Sequence, residues 1–158
     1  MDQEIVITRE LAAPRDRVFK TWTDAERMKG WWGPNGFTTP VCRIDARPGG
    51  IFHNCMRSPD GKDYWSKGVY REVVVPERIV CTDFFSDEAG NMVAPTQYGM
   101  SPEWPKEALL TVTFVEHDGK TKLTLRHAVG SAPATEREMC HAGWNESLDR
   151  LAAYLAKA

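Results

Sequence analysis

The first ordered stretch along the chain is 4–11, which mixes β-branched and charged residues and predicts a strand. Ala13-Pro14 breaks it. Proline suits the first turn of a helix, and Val18, Phe19 and Trp22 follow at i, i+1 and i+4, so a helix is expected there. Thr23-Asp24-Ala25-Glu26 has the form of a capping box and opens a second short helix. Met28, Trp31 and Trp32 give that helix its apolar side, and Gly33-Pro34 stops it. Strands then follow in quick succession. Residues 41–47 end at Pro48-Gly49-Gly50, 51–57 end at Ser58-Pro59-Asp60-Gly61, 64–75 end at Pro76, and 78–86 come next. Residues 109–116 and 120–129 flank Asp118-Gly119, the strongest short hairpin signal in the chain. Short connections between neighbours favour an antiparallel meander over parallel βαβ units.

Parity on the last hairpin separates two faces. Leu110, Val112 and Phe114 share one side, as do Leu123, Leu125 and His127; Thr111, Thr113, Lys122, Thr124 and Arg126 share the other and should meet water. Residues 87–106 are different, with Pro95, Pro102 and Pro105 among Met92, Tyr98, Met100 and Trp104. Two readings stay open for them: a packed surface loop and a lid over a cavity mouth. From about 134 to 158 the chain is helical, with Cys140, Trp144, Leu148, Leu151 and Leu155 on one face. Gly143 costs that helix about 1 kcal/mol relative to alanine, and close approach of another backbone would account for it. The order is strand, two short helices, about six strands and one long amphipathic helix. This is an α+β chain whose antiparallel sheet needs one face covered, and only the last helix is long enough to cover it. A curved sheet gripping one helix leaves space between them.

Composition narrows the functional classes. The 158 residues suit a single domain over 1–158, since no repeat or linker divides them. A chain of that size buries roughly two-thirds of its unfolded surface. The formal net charge of −2 and the absence of any basic run exclude a dedicated nucleic-acid surface. No apolar stretch approaches the roughly 20 residues of a membrane span. The acidic start Met1-Asp2-Gln3-Glu4 is unlike a secretory signal, so a cytoplasmic protein is expected. Cys42, Cys55, Cys81 and Cys140 form no C-x-x-C pair, sit among apolar neighbours and read as buried reduced thiols. No Cys/His spacing supports a metal site, and Pro48-Gly49-Gly50 lacks the helix and lysine of a phosphate loop. No metal or cofactor is expected.

Several short motifs, each weak alone, are specific in combination. They are Thr8-Arg9, Ala13-Pro14, Val18-Phe19, Trp22-Thr23-Asp24 and Trp31-Trp32-Gly33-Pro34, then Asp45 with Arg47-Pro48-Gly49-Gly50, Gly68 with Tyr70 and Glu72-Val73, Pro76-Glu77-Arg78-Ile79-Val80, and Gly143-Trp144 with Leu148 and Leu151. In this order they resemble, over nearly the whole chain, the Aha-type group of the START-like (SRPBCC) superfamily, named after an activator of a heat-shock chaperone ATPase. The resemblance implies a helix-grip fold, related to the birch-pollen allergen and the polyketide cyclase/aromatases, with a cavity between sheet and long helix. It also implies binding of an apolar small molecule, with some superfamily members being enzymes. Eukaryotic chaperone activators of this type join such a domain to a separate N-terminal domain. This chain has no residues for one, so a chaperone partner is not the expectation.

The candidate ligand-binding set is Trp32, Phe52, Asn54, Met56, Trp65, Tyr70, Glu72, Phe84, Met100, Trp104, Phe114, Leu125, His127, Trp144 and Leu148. Each apolar member also reads as ordinary core; together they suit a pocket for a planar or greasy molecule. Asn54 lies between Phe52 and Met56 on one strand face, Glu72 shares parity with Gly68 and Tyr70, and His127 follows Leu123 and Leu125. If Glu72 met His127 or Tyr70, acid–base chemistry of the cyclase, dehydratase or hydrolase kind would be open. The competing reading is a structural hydrogen bond at the end of the sheet. Asp83 and His141 are weaker candidates, and Asp45 with Arg47 reads as a turn. Whether the chain is an enzyme stays open. So do a homodimer, through a sheet edge or the 87–106 loop, and a protein-interaction module, chaperone-associated or otherwise, with an exposed apolar patch.

Overall fold

The computed structural model describes residues 3–157; Met1, Asp2 and the helix end expected at Ala158 lie outside the described residues. The elements run β1 (Gln3–Leu11), α1 (Arg15–Thr23), α2 (Ala25–Met28), β2 (Thr38–Ile44), β3 (Ile51–Arg57), β4 (Asp63–Val74), β5 (Arg78–Ser86), β6 (Ala108–His117), β7 (Lys120–Gly130) and α3 (Ala134–Ala156). A 3-10 turn at Pro95–Tyr98 interrupts the long loop before β6. All seven strands form one sheet in the order β1-β7-β6-β5-β4-β3-β2. Each neighbouring pair is antiparallel, so β2 to β7 are a meander and β1 closes against β7. His117 pairs with Lys120, leaving Asp118 and Gly119 as a two-residue loop. Both have positive φ, 52° and 76°, the backbone that a tight hairpin needs.

The inner face of the sheet is the core. Leu110, Val112, Phe114, Leu123, Leu125 and His127 are buried, and the alternate residues of that hairpin are partly or fully exposed, as their parity predicts. Helix α1 delivers Phe19 edge-on to Phe114 at 5.2 Å, and Trp22 meets Trp31 at 4.8 Å. Helix α3 lies across the same face with Leu148, Leu151 and Leu155 buried. Polar clamps fix it. Arg9 reaches Asn145 and Asp149, and Arg150 Nη1 donates to the carbonyls of Trp32, Gly33 and Pro34 at 3.2, 2.8 and 3.0 Å. One curved antiparallel sheet holding a long terminal helix is a helix-grip fold. No helix among the described residues is long and apolar enough to cross a membrane.

Four local readings are corrected. The cap of α2 is Asp24, whose carboxylate accepts from the Glu26 N–H, while the Thr23 hydroxyl turns back to the Phe19 carbonyl. Helix α2 ends at Met28, so Trp31 and Trp32 lie in the turn beyond it. The second strand stops at Ile44, because the backbone turns beyond it: the Arg47 N–H donates to the Asp45 carbonyl at 2.9 Å and the Gly50 N–H to the Arg47 carbonyl at 2.8 Å. Gly143 answers no close backbone: a Cβ there would meet only Pro34 Cγ at 3.7 Å, an ordinary contact.

Candidate functional site

Helix α3 covers the sheet incompletely. Above β3, β4 and β5, a cleft of about 290 Å³ opens between the sheet, α3 and the Trp32-Gly33-Pro34 segment. The space exists because small residues face one another there: Ser66 on β4, and Cys140, Gly143 and Ser147 on α3. Larger groups complete the walls: Trp32, Met56, Phe84, Phe85, Met100, Trp104, Met139 and Trp144. The loop residues Met100 and Trp104 are held by defined bonds. Tyr98 Oη donates to the Ser86 carbonyl at 2.6 Å. The Ser101 N–H and hydroxyl donate to the two oxygens of Glu136 at 2.7 and 2.9 Å. The 87–106 loop is therefore both a packed segment and a wall of the cleft.

A polar group sits at one end of this mostly apolar space. His127, on β7, is almost completely buried. Its Nδ1 accepts the Trp144 indole N–H at 3.2 Å and lies 3.8 Å from Cys140 Sγ. Its Nε2 is 3.1 Å from Asp83 Oδ2, at ion-pair distance, with the N–H off the line to the oxygen. Burial alone would push the imidazole pKa down; contact with the Asp83 carboxylate and with Cys140 outweighs burial and holds it up at about 9. Asp83 and Cys140 therefore welcome a second proton that the Trp144 donor at Nδ1 opposes. A further donor, Trp32 Nε1–H, is buried without a partner among the described residues.

The structure sorts the sequence candidates. Trp32, Met56, Phe84, Met100, Trp104, His127 and Trp144 line the cleft. Phe114, Leu125 and Leu148 lie in the solid core. Phe52 packs on Tyr70 with ring centroids 6.0 Å apart, and Asn54 is buried beside Met28, its Nδ2 3.8 Å from the sulfur. Trp65 is on the other side of the sheet from Ser66, against His53 at 5.0 Å. Glu72 is corrected outright. A bulge follows Tyr70, which pairs with Cys81 while Glu72 pairs with Val80, so one extra residue reverses the parity. Glu72 therefore faces outward, exposed, and binds Arg78 at 2.9 Å. Tyr70 and His127 share a row across the sheet, but Cys81 and Leu110 stand between them, a backbone span of about 14 Å. Glu72, Tyr70 and His127 do not converge. His141 is outside the cleft wall, its Nδ1 3.2 Å from Asn145 Nδ2.

Cys140 needs a second correction. Cys42, Cys55 and Cys81 are buried, as read, but Cys140 is only half-buried and faces the cleft. Sequence reasoning put it on the apolar face of α3 and treated it as a small hydrophobe. The four-residue step from Cys140 to Trp144 was the available signal, because it places both on the side of α3 that meets His127. Asp83 was named only weakly; its parity with Ile79 and Cys81 points it inward.

The family model described as Activator of Hsp90 ATPase homolog 1-like protein matches residues 12–156, and the chain belongs to that family. Among solved structures, a protein from Chromobacterium violaceum is 30% identical with a TM-score of 0.78, over 95% of this chain and 94% of that one. An AHSA1 protein from Silicibacter pomeroyi is 25% identical with a TM-score of 0.76, over 98% of both chains. A protein from Nitrosomonas europaea, 24% identical over 98% of this chain and 94% of its own, has the same fold with a TM-score of 0.78. No curated protein matches the chain.

Proposed function

We propose that this member of the family binds a small, largely aromatic molecule carrying one hydrogen-bond acceptor, such as a carbonyl, in the cleft beside α3. The observation that carries the reading is the composition of the walls. Aromatic and sulfur side chains surround a space with few polar groups, among them His127 with Asp83, and Glu136. That is the pattern of a site where apolar contact supplies affinity and a few polar groups set orientation. About 290 Å³ lies at the small end of such sites, which suits a one- or two-ring ligand. The unpartnered Trp32 N–H is a donor in want of an acceptor. A cytoplasmic setting suits four unpaired cysteines.

Benzylacetone, an aromatic ring joined by a short chain to one carbonyl, tests the reading. Titration into the protein should quench tryptophan fluorescence saturably, because Trp32 and Trp144 line the cleft. Gly143→Leu, which fills the cleft from a helical position, should remove the quenching while the protein keeps its fold by circular dichroism. Absence of saturation up to about 1 mM, or equal binding by Gly143→Leu, would count against the cleft as the site.

A further inference from the structure

We propose that Cys140, worked by His127 and Asp83, is a nucleophile that adds to a carbonyl-conjugated double bond of a ligand in the cleft. The proposal rests on the reading that this cleft takes a small aromatic carbonyl compound.

Three elements bring the three groups together. Cys140 Sγ, from α3, lies 3.8 Å from His127 Nδ1 on β7; the other ring nitrogen lies 3.1 Å from Asp83 Oδ2 on β5. A carboxylate beside Nε2 draws the ring proton to that side and leaves the Nδ1 lone pair, shared between the Trp144 indole N–H at 3.2 Å and the thiol at 3.8 Å, as the ring's acceptor. This is the nucleophile, base and orienting-acid arrangement of thiol and hydroxyl catalysis. The other cysteines have no histidine at hydrogen-bond distance among the described residues. They are buried, and burial pushes all three thiols up, Cys42 to about 12, so they stay protonated. Cys140 alone among the four faces the cleft.

The surrounding donors narrow the electrophile. When Nδ1 takes the thiol proton, the Trp144 indole N–H at 3.2 Å loses its acceptor. Trp32 Nε1–H already has none. Both side chains line the cleft, and an indole N–H without a protein acceptor suits an oxygen that gains negative charge. Conjugate addition uses these parts and no others. The sulfur lone pair forms the S–C bond at the β-carbon, and the C=C pair moves to give an enolate. The proton on Nδ1 then goes to the α-carbon, leaving a saturated thioether ketone and a neutral ring. Thiol and enone combine with no leaving group, oxidant or activated water.

Benzylideneacetone, the enone that corresponds to benzylacetone, is the probe, read by intact-mass spectrometry and peptide mapping. One adduct is expected, on Cys140, forming at least about tenfold faster than on glutathione. Cys140→Ser should abolish it, and His127→Gln should slow it about tenfold or more. Adducts spread over the cysteines, or a rate no better than glutathione's, would overturn the proposal. Since His127 is buried and its replacement can unfold the protein, the rate of Cys140 alkylation by iodoacetamide in the unaltered protein is the second measurement. Alkylation at least about tenfold faster than that of glutathione is expected, and a rate no better than glutathione's would overturn the Cys140–His127 pair. If benzylacetone binds but Cys140 is inert, the cleft reading stands and the nucleophile falls. If Cys140 is fast toward iodoacetamide but neither ketone binds, the ligand class falls.

Discussion

His127 has neighbours that favour different protonation states. The indole N–H of Trp144 is satisfied only while Nδ1 is unprotonated, whereas Asp83, from β5, and Cys140, from α3, favour the imidazolium. The folded pKa, about 9, lies above the ordinary 6.5, so protons bind the folded state more tightly. The stability that follows is complete below about 6.5 and is lost as the pH rises through about 9. Chemical denaturation across that window should show stability falling with pH, and Asp83→Asn should flatten the slope. An unchanged slope in Asp83→Asn would assign the effect to another group. Glu72 gives the opposite case. It is half-exposed and paired with Arg78 on the outer face, so Glu72→Gln should change stability by less than about 1 kcal/mol. Benzylacetone quenching should be unaltered, and a lost response would return Glu72 to the site. Its parity with Tyr70 was legible, but the bulge that cancels it was not, because a single inserted residue leaves no mark in a two-residue period.

Elements were legible where their signals are local. The Asp118-Gly119 loop and the Ile51–Arg57 and Arg78–Ser86 strands follow from turn residues and composition within a few positions. Helix α3 was legible as an amphipathic element, but the meaning of Gly143 within it was not. Close packing was the sequence-level explanation. Instead, a Cβ has room beside Pro34. Gly143→Ala should therefore stabilise the protein by up to about 1 kcal/mol in thermal or urea unfolding, through helix propensity. A destabilised Gly143→Ala protein would mean that the helix sits closer to its neighbours than the 3.7 Å contact implies. The 87–106 loop offered two readings because its prolines mark a break and its aromatics mark burial, and sequence does not say what they bury against. The bonds from Ser101 to Glu136 and from Tyr98 to Ser86 supply that answer, across 35 and 12 positions of chain.

At the scale of the molecule, the inner face of the sheet divides into a solid part and a hollow part. Phe114 belongs to the solid part, fully buried against Phe19 and Trp22 and outside the cleft wall. Phe114→Ala should cost about 3–5 kcal/mol of unfolding free energy yet leave benzylacetone affinity nearly unchanged wherever the protein stays folded. Denaturant titration and fluorescence titration of the same variant check both halves, and a parallel loss of affinity would show that core and cleft are one packing unit. By itself the sequence determined the element order, the inward faces of the last hairpin and the long covering helix. These follow from periodicities and turn chemistry that act within a dozen residues, and the family motifs extend them to the whole chain. Tertiary structure alone decided the site. Which candidates met depended on the β4 bulge, on the rotation of α3 about its axis and on the small residues of β4 and α3 that meet across the cleft. Asp83, His127 and Cys140 come from three elements, and only the packing of those elements sets the few ångströms between them.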